Sequence, residues 1–373
     1  SNEVRTQSSG STPKDGYFFT GLHDFSESKL HLSLSKSLNQ GICRSRIISL
    51  FCVMVVCVTG AGGFIGSAVA RALLRRNEQV IGIDNLSARK NHPHVKDQWT
   101  PLLDHPNFHG LELDIRSDDL TACLLELQRT LGGIDAICHF AAKPGVRGSH
   151  LHRAEYDSIN VDGTQALLNA AKSIGITKVL FASSSCVYGN GNLPFVEVSP
   201  SQLPQALSHY GWTKIQGELL IEHWAKSMPE AKAIVLRLFS VYGEDMRTDL
   251  AIPIFREHLL SGEAVPIFGN GEDSRDYTHI DDVVHAVLLA LDRFLNFGSP
   301  TSFFNVGRGS STSTLELLNM VAHHLGCKPK VARMQSNKEE MSATLACTKK
   351  ASKELDFTAE RSLSDGLQLM FSV

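Results

Sequence analysis

The sequence has no long basic run. Its 36 Lys and Arg stand against 39 Asp and Glu, a formal charge of −3, so nucleic acid is not an expected partner, because a phosphate backbone demands clustered cations. It also has no Cys-x-x-Cys pair. The 8 cysteines, Cys43, Cys52, Cys57, Cys123, Cys138, Cys186, Cys327 and Cys347, are spread singly and several lie in apolar runs. That spacing supports no metal site, and free thiols in a reducing compartment fit it better than disulfides. Nor is there an apolar run of membrane-spanning length. The longest, Ile47 to Val58, is too short for a bilayer and leads straight into a glycine turn. No membrane segment and a cytoplasmic setting are therefore expected. An upstream targeting segment stays open, because the chain opens on Ser1 rather than Met.

What is present is 373 residues of ordinary globular composition, 42% hydrophobic and 20% charged, enough for one large core or two modest ones. Residues 1–50 are rich in Ser, Thr, Asn and Lys without sustained periodicity and read as a flexible N-terminal extension. Strands and helices then alternate. Strands are expected at Val53–Val58, Gln79–Asp84, Phe108–Leu113, Ala136–Phe140, Lys178–Ala182 and Ala233–Leu238. Helices are expected at Ile65–Arg76, Leu120–Leu131, Glu155–Gly175 and Tyr210–Ser227. Repeated alternation with fully apolar strands predicts an α/β fold whose parallel sheet is covered on both faces. Beyond Val241 the alternation weakens and turn-rich stretches intervene, which predicts a smaller, irregular second lobe.

The first strand ends in Thr59-Gly60-Ala61-Gly62-Gly63-Phe64-Ile65-Gly66 and opens a helix. Gly60 permits a tight turn, Gly63 lets backbone amides approach a pyrophosphate, and Gly66 lets the helix pack on the strand. The helix N-terminus adds partial positive charge and free N–H donors. A glycine triplet alone is weak, but here it has the strand–turn–helix setting that a dinucleotide site requires. Asp84, followed by Asn85, ends the second strand, where a carboxylate accepts from both ribose hydroxyls and repels a 2′-phosphate. That favours NAD over NADP, with Arg89 and Lys90 nearby pulling the other way. Asp114, followed by Ile115 after the third strand, is placed to meet the adenine amine.

Tyr210-Gly-Trp-Thr-Lys214 puts a phenol and an ammonium one helical turn apart, on one face. A phenol is a poor base at neutral pH, and a neighbouring Lys⁺ and a nicotinamide cation would favour its phenolate. The spacing alone is common. Its position after a strand ending in Ser183-Ser184-Ser185 gives it weight, because a serine hydroxyl from that strand can orient a substrate alcohol against Tyr210.

Taken together, the glycine turn, Phe140-Ala141-Ala142, Asn160-Val-Asp-Gly163, the triple serine before Val187-Tyr188-Gly189, Tyr210 with Lys214, Arg275-Asp276-Tyr277 and Asp281-Asp282-Val283 resemble the extended short-chain dehydrogenase/reductase family, the NAD-dependent epimerases and dehydratases. The resemblance covers roughly residues 53–370. It implies a Rossmann-type doubly wound parallel sheet binding NAD over 51–239 plus about 276–308. It implies a smaller C-terminal nucleotide-sugar lobe over 240–275 plus 309–373. The family's cofactor positions fall on Gly60, Gly63, Phe64, Ile65, Gly66, Asp84, Asn85, Asp114, Ile115, Ala141, Ala142, Tyr210 and Lys214. Its catalytic positions fall on Ser184, Tyr210 and Lys214, and Arg275 matches the arginine that grips the substrate's diphosphate. Relatives pair through helices corresponding to Glu155–Gly175 and Tyr210–Ser227, so a homodimer is implied.

Members of the family share oxidation at C4 of the sugar and diverge afterwards. Dehydratases resemble one another in carrying Asp-Glu after the catalytic hydroxyl, and many decarboxylases carry Glu at the second position. Here those positions are Ser185 and Cys186, which leaves rotation of the 4-keto sugar and hydride return to its other face, that is, 4-epimerisation. Gly145-Val146-Arg147-Gly-Ser149 and Arg247-Thr-Asp249-Leu-Ala251 resemble motifs of UDP-glucuronate 4-epimerases. Ser240 stands where UDP-glucose epimerases usually have Asn and glucuronate epimerases usually Thr. The expected substrate-binding set is therefore Arg147, Ser185, Ser240, Arg247 and Arg275, with Arg247 suited to bidentate contact with a C6 carboxylate. The resemblance is looser in this lobe: Lys143-Pro144, Glu244 and Cys347 replace more usual residues, and Gln335–Ala346 offers no arginine for the diphosphate. Two other functions compete: a UDP-glucose/galactose 4-epimerase, and a catalytically silent NAD-binding protein.

Overall fold

Five consecutive buried residues, Val55–Thr59, form the first strand, β1. Their side chains alternate between two apolar clusters. Val56 and Val58 join one, while Val55 and Cys57 join the other, as a strand covered on both faces requires. The structure, a computed structural model, describes residues 53–87, 96–335 and 340–372. The extension read at 1–50, Cys43, Cys52, Arg89 and Lys90 lie outside the described residues.

After β1 the chain runs through α1 (Phe64–Arg75), β2 (Gln79–Asp84), β3 (Phe108–Glu112), α2 (Leu120–Leu131), β4 (Ala136–His139), α3 (Gly163–Ser173), β5 (Lys178–Ser184), α4 (His209–Ser227) and β6 (Lys232–Leu238). Shorter strands β7 (Val241–Tyr242), β9 (Ser274–Asp276) and β10 (Thr278–His279) surround α5 (Ala251–Ser261) and β8 (Ala264–Phe268). The helix α6 (Ile280–Asp292) then leads back to β11 (Thr301–Val306). β12 (Ser311–Ser313), α7 (Thr314–His324), β13 (Lys330–Met334) and α8 (Leu363–Phe371) complete the chain. The central sheet is seven-stranded and parallel, in the order β11-β6-β5-β4-β1-β2-β3. The strand order reverses between β1 and β4, and the crevice beyond their carboxyl ends is where such sheets bind ligands.

Two local differences from the sequence reading affect the site. The strand expected to end at Ala182 continues to Ser184, because Ser183 and Ser184 keep register with Arg237 and Leu238 of β6. Two of the three serines are thus fixed by the sheet. The long helix expected from Glu155 starts at Arg153 and contains a π-helical stretch, Asp157–Asp162, before α3.

A third apolar cluster lies wholly in the C-terminal part. It joins Tyr242, Ile252, Phe255 and Leu259 to Val265, Ile267, Leu317, Val321 and Leu367. Ala351, Leu355 and Phe357 do not join it; they pack with Val283, Val287 and Phe304 over the central sheet. The last forty residues therefore serve both cores.

Candidate active site

Gly60 has φ +71, and a Cβ there would lie 2.7 Å from the backbone nitrogen of Ala141. A Cβ on Gly66 would collide with the Gly60 carbonyl. These two glycines are therefore required by the close approach of β1, α1 and the end of β4. Gly63 caps α1 with no side-chain hydrogen bond, and no acid stands in the first turn. The first backbone N–H groups of α1, from Phe64, Ile65 and Gly66, have no acceptor within the helix. That is an arrangement suited to an anion.

Asp84 at the end of β2 accepts from Gly62 N at 3.0 Å and from Leu86 N at 2.8 Å, so its carboxylate is fixed beside the turn. Asn85 donates to Asp114 Oδ2 at 2.7 Å. Asp114 is further gripped by Arg116 through Nε and Nη2 at 2.8 and 2.7 Å. The Arg116 hydrogen bonds hold this carboxyl well below the usual range, so it meets any ligand as an anion. Ile115 is buried where a Cβ on Gly163 would touch it at 2.7 Å, which seats α3. Ala141 and Ala142 follow β4, half-buried beside the glycine turn. Glycine turn, uncapped helix start and Asp84 together fit NAD.

A buried chain of hydrogen bonds, unrecognised in the sequence, locks this corner. Thr164 Oγ1 donates to the Asn160 carbonyl at 2.6 Å and lies 3.0 Å from His139 Nε2. Its one proton being used, it accepts from His139, so His139 Nδ1 must accept from Thr59 Oγ1, 2.7 Å away. Thr59 in turn accepts from Ala141 N at 3.2 Å. Burial drives the His139 pKa down to about 3, which keeps the ring neutral as this chain needs. The Asn160 side chain closes the frame, holding both backbone groups of Lys143 and reaching Thr213 Oγ1 at 3.0 Å.

Ser208 caps α4 by accepting from Gly211 N at 3.0 Å, which starts the helix one residue before Tyr210. Lys214 Nζ donates to the Ala182 carbonyl at 2.8 Å and sits 5.9 Å from the Tyr210 ring centroid. Burial pushes Lys214 down to about 8, with Glu218 acting against that. Ser184 hydrogen-bonds the Tyr210 phenol and accepts from Cys186 N at 3.2 Å. The catalytic trio read from the sequence is thus assembled in one place. Burial pushes Tyr210 well above its ordinary range, while the Ser184 hydrogen bond and the Arg247 charge pull the other way. The Lys214 ammonium gives one of its three N–H donors to the Ala182 carbonyl and lies over the Tyr210 ring.

The arginines expected to meet the substrate fall into two groups. Arg147 pairs with Glu340 Oε1, and Arg275 reaches Glu340 Oε2 at 3.4 Å, so one carboxylate draws both guanidinium groups together. Arg147 also lies 4.4 Å over the Phe268 ring. Arg247 is elsewhere. A Cβ on Gly145, φ +112, would sit 3.5 Å from Arg247 Nη2 and 3.4 Å from the Tyr156 hydroxyl. Tyr156 donates to the carbonyls of Pro144 and Gly145, both at 3.0 Å, and meets the Tyr210 ring edge-on at 6.4 Å. Arg247, Tyr156 and Tyr210 thus share one corner. The Arg247 fork is held by Asp249 at 2.9 Å through Nε and at 2.5 Å through Nη2. Ser185 is buried in the 3₁₀ turn Ser185–Tyr188, and Ser240 is half-buried with its carbonyl accepting from Thr278 N. Among the described residues no hydrogen bond joins either serine to Arg247.

The description of the NAD dependent epimerase/dehydratase family matches residues 56–307. A UDP-glucuronate 4-epimerase of Thermodesulfobacterium geofontis is 30% identical over 314 residues, 83% of this chain and 93% of that protein. UDP-glucuronate 4-epimerase 4 of Arabidopsis thaliana is 32% identical over 331 residues, 84% of this chain and 74% of that one. Among solved structures, the Bacillus cereus UDP-glucuronic acid 4-epimerase with UDP-glucuronic acid and NAD superposes with a TM-score of 0.75. It is 32% identical and covers 86% of this chain and 98% of that one. The Thermotoga maritima UDP-glucose 4-epimerase with UDP-glucose gives 0.74 at 30% identity over the same shares. With its glycine turn, its Ser184–Tyr210–Lys214 assembly and these relatives, the chain belongs to the NAD-dependent epimerase/dehydratase family, among the UDP-sugar 4-epimerases.

Proposed function

We propose that this enzyme interconverts UDP-glucuronate and UDP-galacturonate. The observation that carries the substrate assignment is the guanidinium of Arg247 packed over Gly145 and Tyr156, close enough for its charge to act on the Tyr210 phenol. A neutral hydroxymethyl at C6 offers such a cation one uncharged acceptor, whereas a carboxylate matches both its charge and its fork. Asp249 holds that fork in this structure, and its side chain is 63% exposed, so exchanging it for a substrate carboxylate costs little. Relatives named as UDP-glucuronate 4-epimerases agree with this reading.

Ser184 and Tyr210 orient the C4 hydroxyl, and the tyrosine oxygen takes its proton as C4 is oxidised. NAD, when bound, supplies the hydride acceptor and returns the hydride. Lys214 holds positive charge beside the phenolate and is itself fixed by Ala182. Arg147 and Arg275 converge to retain the diphosphate while the 4-keto sugar turns over. Oxidation at C4 of a uronate makes a β-keto acid, which loses CO₂ when its carboxylate stands perpendicular to the carbonyl plane. Clamping that carboxylate by Arg247 protects the intermediate.

Replacing Arg247 with Ala is expected to lower kcat/KM for UDP-glucuronate by about tenfold to a hundredfold, the worth of hydrogen bonds to a charged group. It should also raise the share of decarboxylated product. Unchanged rate and product ratio, measured by NMR, would remove Arg247 from the account.

A further inference from the structure

Tyr210, Lys214 and Glu218 are spaced four residues apart on α4, so they stack along one face of that helix. Each grips a different one of three consecutive residues in β5. Tyr210 hydrogen-bonds Ser184, Lys214 Nζ holds the Ala182 carbonyl at 2.8 Å, and Glu218 Oε1 accepts from Ser183 Oγ at 2.5 Å. The first two contacts belong to the catalytic set; the third has no part in the reaction as described above.

Glu218 is fully buried and bound on its far side by Arg237 of β6, equally buried, through Nε at 3.0 Å and Nη2 at 2.7 Å. Arg237 continues to the Tyr188 hydroxyl at 3.0 Å and the Val198 carbonyl at 2.8 Å. Tyr188 ends the 3₁₀ turn that carries Ser185 and Cys186, and its hydroxyl donates to Asn305 Oδ1 at 2.6 Å. One ion pair therefore ties together the helix bearing Tyr210 and Lys214, the strand bearing Ser184, and the turn following it.

We propose that Glu218, held by Arg237, is a positioning residue for the epimerase reaction: through Ser183 it sets the register of Ser184 against Tyr210, and it provides the fixed negative charge that faces Lys214. Besides Glu218, the groups whose charges face Lys214 are Tyr210 on its own helix, Cys186 on the turn after β5 and His139 on β4. Of these only Glu218 is an anion paired in the buried interior, so it is the group that opposes the loss of the Lys214 proton. A buried salt bridge is weak evidence for stability in itself. Here it is joined on one side to each catalytic element, which gives it a second use.

The test compares Glu218→Gln and Ser183→Ala with the wild type, each converting whichever UDP-sugar the wild type epimerises. A wrong sugar assignment then shows in the wild type, while a wrong positioning assignment shows only in the comparison. Ser183→Ala leaves the ion pair intact and should fold. Its kcat is expected to fall by up to about a hundredfold, the consequence of a displacement on the order of 1 Å at the reacting groups, with KM within about threefold. Glu218→Gln keeps an acceptor for Ser183 and removes the charge. In it the alkaline limb of the kcat/KM–pH profile, which reports the free enzyme, should move to lower pH, because the anion that raised Lys214 is gone. If Glu218→Gln fails to fold, Ser183→Ala decides alone. A folded Ser183→Ala enzyme with wild-type kcat, or a folded Glu218→Gln enzyme whose alkaline limb has not moved, would reduce the network to a packing role and overturn the proposal.

Discussion

At the scale of single residues, burial sets the protonation states on which the site depends. His139 is the sharpest case. It is 1% exposed, with both ring nitrogens in hydrogen bonds that require the neutral form. Its pKa is driven down to about 3 in the folded chain, whereas an unfolded histidine titrates near 6.5. Between those values the unfolded chain binds a proton that the folded chain does not, so stability falls as pH drops from 6.5 towards 3. Urea unfolding of wild type and His139→Gln across pH 6.5 to 4.5 should show the wild type losing up to about 1.4 kcal/mol more per pH unit. Parallel slopes would mean that His139 is charged or exposed in the folded protein. Lys214, pushed down to about 8, follows the same logic with a functional outcome. As pH rises through that value the cation beside Tyr210 disappears, and kcat/KM, which reports the free enzyme, should fall above about pH 8. A flat profile from pH 7 to 10 would contradict the role given to this lysine.

At the scale of elements, what could be read in advance was what short-range pattern encodes. The strand–glycine–helix sequence identified β1, α1 and the cofactor turn, because Gly60 and Gly66 are required by contacts within a few residues or with the adjacent strand. Tyr210 and Lys214 were legible from their spacing only together with the strand ending in Ser183-Ser184-Ser185 before them. Glu218, four residues further along the same face, was equally legible as spacing but carried no chemistry until Ser183 and Arg237 were placed beside it. Arg237 was hidden differently: it stands inside Ala233–Leu238, a run otherwise apolar, and only the fold shows a guanidinium with 0% side-chain exposure. Removing one member of so buried a pair leaves the other unpaired. Arg237→Met is expected to cost about 3–5 kcal/mol in urea denaturation. The surface pair Lys226–Glu222, with the lysine 63% exposed, should cost no more than about 1 kcal/mol when Lys226 becomes Ala. Equal losses from the two changes would contradict the assignment of α4 and β6 as electrostatically joined.

At the scale of the whole molecule, the parallel sheet was foreseeable and a smaller C-terminal lobe was expected, but the contacts that build that part of the chain were not. Six strands of the order β11-β6-β5-β4-β1-β2-β3 were read from repeated β-α-β units, and β11, beyond Val241 where the alternation weakens, joins them beside β6. The third apolar cluster instead joins residues as far apart as Tyr242 and Leu367, with Ala351, Leu355 and Phe357 returning to the sheet. Contacts of such separation leave no local period. The same holds for the substrate side. Glu340, in a segment that offered no arginine for the diphosphate, proves to be the acid that draws Arg147 and Arg275 together. Family and reaction type therefore rest on the sheet and on the strand and helix that bring Ser184, Tyr210 and Lys214 together, and the proposed sugar choice rests on the corner formed by Arg247, Tyr156 and Tyr210. The most direct test is to incubate the purified protein, without added NAD, with UDP-glucuronate and separately with UDP-glucose, and to identify the products by NMR. The account predicts UDP-galacturonate from the first and no UDP-galactose from the second. UDP-galactose alone would overturn the Arg247 clamp, and no conversion of either sugar, even after NAD is supplied, would contradict the enzymatic reading as a whole.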